Sequence, residues 1–295
     1  MNLIIGATGM LGTEICRLLV ADGKPVRAMV RKPFDLGKMK KLKALRVQIV
    51  QGDLRNTKTF GPALQGVNTI VSTASSMPNS YEAGTNDIYH VDLEGMIDLI
   101  DHTKAARVQH FIYISFSDNM NIDCPLQNAK RTVERYLIES GLTYTILRPG
   151  FFMETWLTPA LGFDIENSKV SLYGDGTNPV SYISYYDVAK FVMACMSNSF
   201  ARDNILELGG PELISPLDVV NIFEETSGRH FSVQYTPKEA IKDQIKKTKD
   251  PMEISFLALQ LAMANGDPID MRETLTHFPM KLKSIRDFTR SKAIV

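Results

Sequence analysis

Three glycines at a regular spacing are the first residues of the chain whose types suggest chemistry. Gly6, Gly9 and Gly12 form the pattern GxxGxxG, directly after the apolar run "NLII" and inside the first turn of an amphipathic segment. Glycine tolerates the positive φ of a tight turn and lets the backbone approach a ligand, while a helix N-terminus offers free N–H groups and partial positive charge. The alternative is a turn that is merely tight, but the strand–turn–helix context favours a site for a nucleotide pyrophosphate. We expect this site to include Gly6, Thr8, Gly9, Met10, Leu11 and Gly12.

Cations follow the second predicted strand, where an NAD site usually carries an acid that accepts from the ribose 2′-hydroxyl. Arg31 and Lys32 stand at this place, and no acidic residue occurs before Asp35. A guanidinium can bind a phosphate bidentately, so the pair suits the 2′-phosphate of NADP(H), although such cations can also simply solvate an exposed loop. After the third predicted strand, Asp53 either accepts from the adenine amino group, with Leu54 beside it, or belongs to an ordinary turn.

A lysine lies on the apolar face of a predicted helix. Within the segment 123–141, one apolar stripe runs along Leu126, Val133 and Leu137. Lys130 falls within about 40° of Leu126 by the helical repeat, so it points the same way as the stripe. An inward lysine is costly unless its charge reaches solvent or finds a partner. The sequence therefore predicts a lysine that either snorkels at the edge of the helix or binds a ligand.

The composition excludes several other classes of protein. The chain has 295 residues, 44% of them hydrophobic, and 33 basic residues balance 33 acidic ones. That balance argues against a surface dominated by nucleic-acid binding. The three cysteines are far apart and the five histidines are scattered, so no disulfide framework and no metal site is expected. No apolar run approaches the roughly 20 residues of a membrane span, and no signal peptide is evident. We expect a cytoplasmic protein without a membrane partner; the sequence leaves its oligomeric state open.

Short apolar runs alternate with helical patterns through the first half of the chain. The runs are mostly apolar throughout rather than alternating, which favours a buried parallel sheet with helices on both faces. We therefore predict an α/β fold with a doubly wound parallel sheet of the Rossmann type in residues 1–150. A smaller mixed α/β lobe, interwoven with the sheet, is predicted for 151–295. Strands are expected at 2–5, 26–30, 47–50, 68–74, 110–115 and 143–150, with a basic loop between the second and third.

The motifs together resemble a known group. "GATGMLG" at the start, "GDL" after the third strand, "YISFS" at the end of the fifth, the helix with the inward lysine, and "SGLTYTILRPGFFME" are similar to the NmrA-like atypical short-chain dehydrogenase/reductases. The resemblance covers about residues 1–235. It implies an NADP(H)-binding fold, and it is shared by quinone reductases, dye and phenylpropanoid reductases, and cofactor-sensing regulators that catalyse nothing.

The resemblance also assigns roles to particular residues. The broader superfamily carries Tyr-x-x-x-Lys on this helix, and here the lysine is Lys130 while Leu126 stands at the tyrosine place. The lysine is expected to bind the nicotinamide ribose, so its partner would be a ligand rather than a protein carboxylate. The serine of the superfamily maps to Ser117 or, as the weaker alternative, Ser115. Leucine cannot donate a proton, which puts ordinary alcohol dehydrogenation in doubt.

Two loops that follow strands are expected to lie over the ligand crevice, because ligands bind beyond the carboxyl ends of the strands in open α/β sheets. The first, 71–76, offers small residues where a cofactor passes, although small residues also suit close packing. The second, 148–156, should bring its backbone to the nicotinamide and an aromatic wall to the substrate, with some of its side chains in the core. The expected cofactor contacts are Ser72, Thr73, Ala74, Pro149, Gly150 and Phe151, and the expected substrate contacts are Phe152, Met153 and Trp156.

These expectations combine into one functional hypothesis with two rivals. The first is an NADPH-dependent oxidoreductase that delivers hydride to a quinone, enone or similar conjugated apolar acceptor, with Lys130 positioning the ribose and Ser117 or water polarising the acceptor. The second is a non-catalytic protein that senses NADP(H) through a partner. A third, weaker one is an assembly factor of the photosynthetic type. The tail 236–295 is expected to pack as ordinary helix rather than to act as a lid.

Overall fold

The computed structural model describes residues 1–32, 35–77 and 80–292. The chain forms two compact units, and neither is a single stretch of sequence. The chain passes from the first unit to the second between residues 147 and 148, close to the predicted boundary near residue 150. It also passes between the units at other positions, which the composition did not indicate. The first unit comprises Met1–Ser115, Asn128–Leu147 and Val188–Leu206, and the second comprises Phe116–Gln127, Arg148–Asp187 and Glu207–Val295.

The strands of the described residues form two sheets. They are β1 (Asn2–Ile5), β2 (Val26–Val30), β3 (Gln48–Gln51), β4 (Thr69–Ser72), β5 (His110–Ile114), β6 (Tyr144–Pro149), β7 (Phe163–Asp164), β8 (Lys169–Tyr173), β9 (Asn204–Leu208) and β10 (Ser232–Thr236). The larger sheet has the order β3-β2-β1-β4-β5-β6-β9, and its neighbouring pairs from β3 to β6 are parallel. Strands β2 and β5 are buried at every residue, which is why their sequences are apolar without alternation. The predicted doubly wound sheet is confirmed, with its switch point between β1 and β4.

Helices connect these strands. They are α1 (Met10–Ala21), α2 (Leu36–Ala44), α3 (Phe60–Leu64), α4 (Gly95–Ala105), α5 (Pro125–Glu139), α6 (Met153–Trp156), α7 (Tyr185–Cys195), α8 (Pro216–Ser227), α9 (Lys238–Lys247), α10 (Pro251–Asn265), α11 (Arg272–His277) and α12 (Ile285–Lys292). A π-helical segment, Ile88–Glu94, runs directly into α4. A large apolar core of the first unit combines residues from β1, β4, β5, α4 and α5.

The basic loop predicted between β2 and β3 is wrong, because α2 forms there. Asp35 caps this helix by accepting a hydrogen bond from the backbone N–H of Lys38, at 3.0 Å. Met39 and Leu42 are the buried residues of this helix. Its lysines are good helix formers. Two apolar anchors and a cap are therefore enough to fold a segment whose charge density suggested a loop.

The second unit has its own core around the small sheet β10-β8-β7. β10 is parallel to β8, and β7 is antiparallel to it. Helix α8 begins with a capping box formed by Ser215 and Asp218. In the tail, Ile285 and Phe288 of α12 are buried in this core, so the last helix packs as expected.

Candidate functional site

The glycine turn sits between β1 and α1 and is built as the sequence predicts. Gly6 has φ of 79°, and its carbonyl accepts a hydrogen bond from the N–H of Gly9 at 3.0 Å. A Cβ added to Gly12 would lie 2.3 Å from the Gly6 oxygen, and one added to Gly6 would lie 2.6 Å from Thr73 Oγ1. Both positions therefore require glycine, because the obstructing atoms belong to the turn itself or to the neighbouring loop.

The N-terminus of α1 has neither a side-chain cap nor an acidic residue in its first turn. Gly9 occupies the N-cap without a side-chain hydrogen bond, and the first turn carries no acidic residue. No side-chain cap and no acid of the first turn therefore neutralises its N–H groups and the partial positive charge of the helix dipole. Thr8 is half-buried and Met10 is exposed, whereas Leu11 is buried in the core. The prediction for Leu11 is thus limited to its backbone.

The loop after β4 locks this turn in place. Thr73 donates from both its backbone N–H and its hydroxyl to the carbonyl of Ile5, at 3.0 and 3.1 Å. Ser72 is fully buried, with its hydroxyl 3.5 Å from the Met96 sulfur, and Ala74 packs against the core of the first unit. These small residues serve close packing at the switch point. Because the side chain of Ser72 is fully buried, its predicted cofactor contact is limited to its backbone.

Charged residues surround the ends of β2 and β3. Arg31 donates a hydrogen bond to the side-chain oxygen of the buried Asn86. Asp53 is paired with Arg55, whose Nη2 and Nε lie 2.6 and 2.9 Å from its two carboxylate oxygens. Burial raises the pKa of Asp53, but the hydrogen bonds and charge of Arg55 outweigh it and hold that pKa below its usual value. The carboxylate predicted to meet adenine thus already has a cationic partner.

Two side chains near these ends have different surroundings. Leu54 is buried in the apolar core of the first unit, which limits the prediction for it to its backbone. Lys32 is exposed beside Arg31 at the end of β2. The cations predicted for a 2′-phosphate are therefore both present at one end of the sheet.

Lys130 lies inside the first unit with only 5% of its surface exposed. Its Nζ donates to the carbonyl of Ile114, the last residue of β5, at 3.3 Å, and lies 4.9 Å from the centre of the Tyr113 ring. The fully buried carboxylate of Asp92 approaches to 3.9 Å. The part of the expectation that excluded a protein carboxylate is wrong, because Asp92 lies near enough to supply a counter-charge from within the fold. The contact with a ribose stays a prediction.

Ser117 belongs to the second unit and has a structural partner there. Its hydroxyl is fully buried and donates to Asp267 Oδ1 at 2.6 Å, and Asn119 Nδ2 donates to the same oxygen at 3.1 Å. That hydrogen bond uses the proton that Ser117 was expected to offer to an acceptor, so the expected polarising role has to be corrected. Ser115, the weaker alternative, lies in the first unit with its Oγ 3.5 Å from Arg131 Nη1.

The loop after β6 is more buried than predicted. Phe151 and Met153 lie in the core of the second unit, so neither side chain can face a ligand as expected. Trp156 is half-buried, meets Phe151 edge-on at 4.8 Å and stacks on Phe256 at 6.4 Å. Phe152 is likewise only partly buried. Of the predicted aromatic wall, Phe152 and Trp156 remain candidates.

Gly150 is tightly enclosed at the start of this loop. Its N–H donates to the carbonyl of Leu208 at 2.9 Å. A Cβ at this position would lie 2.8 Å from Asp267 Oδ2 and 2.9 Å from the Ser181 carbonyl, so the glycine is required for packing. Pro149, the last residue of β6, accepts a hydrogen bond from the N–H of Ser117 at 3.0 Å.

One protein family matches this chain over nearly its whole length. The model of the NmrA-like family matches residues 2–288. The chain belongs to the NmrA-like family. It is 32% identical over 240 residues to a photosystem II assembly factor, Ycf39, from Cyanophora paradoxa. The aligned region covers 80% of this chain and 71% of that protein. It is 29% identical over 231 residues to an NAD(P)H azoreductase from Xenophilus azovorans, covering 78% and 74% respectively.

A solved structure supports the fold of this NmrA-like protein. The NADPH-dependent quinone oxidoreductase QOR2 from Escherichia coli, determined with NADPH, superposes with a TM-score of 0.79 over 99% of both chains at 22% identity. Within the described ranges of the NmrA-like chain, no helix has the length and apolarity needed to cross a bilayer. The same residues contain no group of histidine, cysteine or acidic side chains arranged for a metal ion.

Two of the buried carboxylates that sequence reasoning missed in the NmrA-like protein, Asp92 and Asp267, contact predicted site residues. Asp92 is four residues from both Ile88 and Met96, so it falls on the apolar stripe of its own helix. The stripe argument that identified Lys130 was sufficient to find Asp92. Asp267 follows Gly266 after α10, and no local pattern distinguishes it from a surface acid.

Replacing Asp267 by asparagine is expected to flatten the pH dependence of stability. Burial raises the pKa of Asp267, and the hydrogen bonds from Ser117 and Asn119 only partly oppose it. Because the folded state then holds its proton longer than the unfolded state, the free energy of unfolding falls as pH rises from about 4. Asparagine keeps an acceptor for Ser117 but cannot ionise. Denaturant unfolding between about pH 4 and 7 measures this slope.

The exposed Asp270 provides the matched control. Its pKa is lowered to about 2 by its hydrogen bonds and ion pair with Arg272, so Asp270→Asn changes the slope only in more acidic solution. Equal slopes for the parent and Asp267→Asn above about pH 4 would contradict the assigned ionisation of Asp267.

Proposed function

We propose that this NmrA-like protein is an NADP(H)-dependent oxidoreductase that transfers hydride to a quinone, enone or other conjugated apolar acceptor. One observation carries the proposal: the first unit combines an open helix N-terminus at the β1/β4 switch point with a buried lysine at the carboxyl end of β5. A pyrophosphate fits the first feature, and a ribose hydroxyl fits the ammonium of Lys130. The azoreductase relative supports a reductase as the class.

The residues of this chain would bind and orient the cofactor. The turn Gly6–Gly12 would hold the pyrophosphate, Arg31 and Lys32 the 2′-phosphate, and Lys130 the nicotinamide ribose. When bound, the nicotinamide supplies the hydride. The other predicted cofactor contacts remain part of this proposal, and we expect them to act with backbone atoms. They include Asp53, Leu54, Pro149, Gly150 and Phe151.

The proposed class of acceptor follows from the lack of a proton donor at the two positions where the superfamily has one. Leu126 is buried where the superfamily has its tyrosine, and Ser117 donates to Asp267, so neither is available as an acid. A conjugated acceptor can take its proton from water after hydride addition, and therefore needs no such residue. Trp156 borders a small cavity of the second unit, together with Tyr173, Tyr182 and Met263, and stays a proposed substrate contact.

Steady-state oxidation of NADPH against a panel of quinones and enones tests the proposal. We expect turnover with at least one planar conjugated acceptor, and no turnover with simple ketones. Tight NADPH binding without oxidation by any acceptor of the panel would contradict the proposed reductase.

Replacing Arg31 by alanine is expected to weaken NADPH much more than NADH. A charge-assisted hydrogen bond contributes about 1.5–3 kcal/mol, so the dissociation constant of NADPH should rise roughly tenfold or more. Calorimetric titration with both cofactors measures the difference. Lys43→Ala removes an exposed cation from α2 and serves as the control. A parallel loss of NADH and NADPH affinity would contradict recognition of the 2′-phosphate.

A second candidate function is a non-catalytic NADP(H)-binding factor that acts through a protein partner. Two observations favour it: Leu126 at the tyrosine place, and the 32% identity to a photosystem II assembly factor. This candidate predicts similar affinities for NADP⁺ and NADPH and no single-turnover oxidation with any acceptor. The reductase predicts that bound NADPH is consumed when the acceptor is added.

A further inference from the structure

Asp92 is the most completely enclosed charge of the first unit. Its Oδ2 accepts hydrogen bonds from the backbone N–H and the hydroxyl of Ser76, at 2.9 and 2.6 Å. Ser76 is itself fully buried. Two donors on one oxygen fix the rotation of the carboxylate, which leaves Oδ1 directed toward Lys130 Nζ at 3.9 Å. Oδ1 accepts no hydrogen bond from the described residues.

The backbone around Asp92 is built to hold this position. The segment Ile88–Glu94 is π-helical, a rare geometry that recurs at functional sites. Asp87 caps it by accepting from the N–H of His90 at 2.9 Å. At its other end, a Cβ on Gly95 would lie 2.6 Å from the Leu54 carbonyl and 2.8 Å from that of His90. The wide turn is thus fixed at both ends, with Asp92 on its buried face.

The other charges near Lys130 largely cancel. Burial lowers the pKa of Lys130, Asp92 and Glu134 raise it, and Arg131 lowers it. Arg131 and Glu134 form an ion pair with each other at 2.6 Å on the same helix. Because these two charges neutralise one another, Asp92 is the counter-charge that remains for the lysine.

Tyr113 completes the surroundings from β5. Its hydroxyl makes no hydrogen bond with the described residues, and its burial raises its pKa, with Asp92 adding in the same direction. The phenol therefore stays neutral, and it does not compete with Asp92 for the charge of Lys130. A neutral ring beneath the ammonium also limits the entry of water.

We infer that Asp92 is the positioning residue of Lys130: anchored by Ser76, its carboxylate keeps the lysine charged and directed along the end of β5. The link to cofactor binding rests on the proposed function, because only there does Lys130 serve the nicotinamide ribose. The charge coupling between Asp92 and Lys130 does not depend on any ligand. The two parts of the inference can therefore be tested separately.

The first test uses Asp92→Asn without cofactor. Asparagine can still accept from Ser76, but the lysine loses its counter-charge, so the pKa of Lys130 falls further below its unfolded value. The unfolded state then binds more protons across a wider window, and stability rises more steeply with pH between about 7 and 9.5. Denaturant midpoints across this range measure the slope. Glu134→Gln makes the same chemical change beside Arg131 and is expected to alter the slope less.

A double variant keeps the test decisive if Asp92→Asn folds poorly. Lys130→Met in the Asp92→Asn background removes both charges, so its denaturant midpoint should exceed that of Asp92→Asn, and the added slope should vanish. The inference is overturned if the two substitutions add independently, or if Asp92→Asn and Glu134→Gln change the slope equally.

The second test follows NADPH affinity against pH. In Asp92→Asn, the pH above which binding weakens should move down by about one unit or more, because Lys130 deprotonates earlier. An unchanged pH profile, with NADPH still bound, would overturn the positioning role. If the parent does not bind NADPH at all, the proposed function fails, while the cofactor-free slopes still decide the coupling between the two charges.

Discussion

Gly12→Ala is expected to abolish measurable NADPH binding while leaving most of the fold intact. The added Cβ would lie 2.3 Å from the Gly6 carbonyl oxygen and 2.9 Å from the Ala7 Cα, and both are backbone atoms that cannot rotate away. The turn must therefore open, and overpacking of this kind costs about 1–3 kcal/mol of stability. An opened turn no longer aims the N–H groups of α1, so we expect the NADPH dissociation constant to rise by at least about a hundredfold.

Gly61→Ala is the matched control for this change. Gly61 lies in helix α3, and an added Cβ would meet nothing within 4 Å. Alanine there should leave NADPH affinity unchanged and raise stability by up to about 1 kcal/mol, because glycine is a poor helix residue. Calorimetric NADPH titration and denaturant unfolding measure both variants. Parent-like NADPH binding by Gly12→Ala would remove the glycine turn from the proposed site.

Lys130→Met is expected to have the largest combined effect on stability and function. Methionine fills similar volume, but it leaves the fully buried carboxylate of Asp92 without a counter-charge. Breaking a buried pair from one side costs about 3–5 kcal/mol, and the ribose contact proposed for Lys130 is lost as well. From the sequence alone, Lys130→Ala is expected to weaken reduction and cofactor binding more than it changes the fold. The structure predicts that both suffer, and that the loss of stability arises from Asp92.

Arg135→Met provides the comparison on the same helix. Arg135 is exposed and donates to Thr132 Oγ1 at 3.1 Å, so its loss should change stability by no more than about 0.5 kcal/mol. Unfolding by denaturant and turnover with a quinone measure both variants. If Lys130→Met is as stable as Arg135→Met, Asp92 is not the counter-charge of Lys130.

The parts of this protein that are local in sequence were predictable. Gly6, Gly9 and Gly12 mark a turn whose strand and helix are its immediate neighbours, and the burial of Lys130 follows from the periodicity of one helix. The parallel sheet follows from apolar runs that never alternate. Helix α2 was missed because its burial depends on only Met39 and Leu42 beneath a lysine-rich surface.

The parts that depend on distant residues were not predictable. Ser117 is separated by 150 residues from Asp267, which accepts its hydrogen bond, and no pattern near Ser117 indicates that contact. Phe151 and Met153 follow a strand whose loop either lines a crevice or enters the core, and the sequence is apolar in both cases. Asp92 was predictable in part. Its place on the apolar face of a helix follows from the sequence, but its pairing with Lys130 is evident only in the folded unit.

The transfer of hydride itself is the most direct test of this account. The protein is mixed anaerobically with one equivalent of NADPH carrying two deuterium atoms on the transferring carbon, followed by a quinone or enone of the reactive panel. The account predicts oxidation in a single turnover, with deuterium recovered on the reduced acceptor or, where the acceptor exchanges it, lost from the nicotinamide at the same rate. Bound NADPH that keeps its deuterium in the presence of every acceptor would contradict the reductase and leave a protein that binds the cofactor without using it.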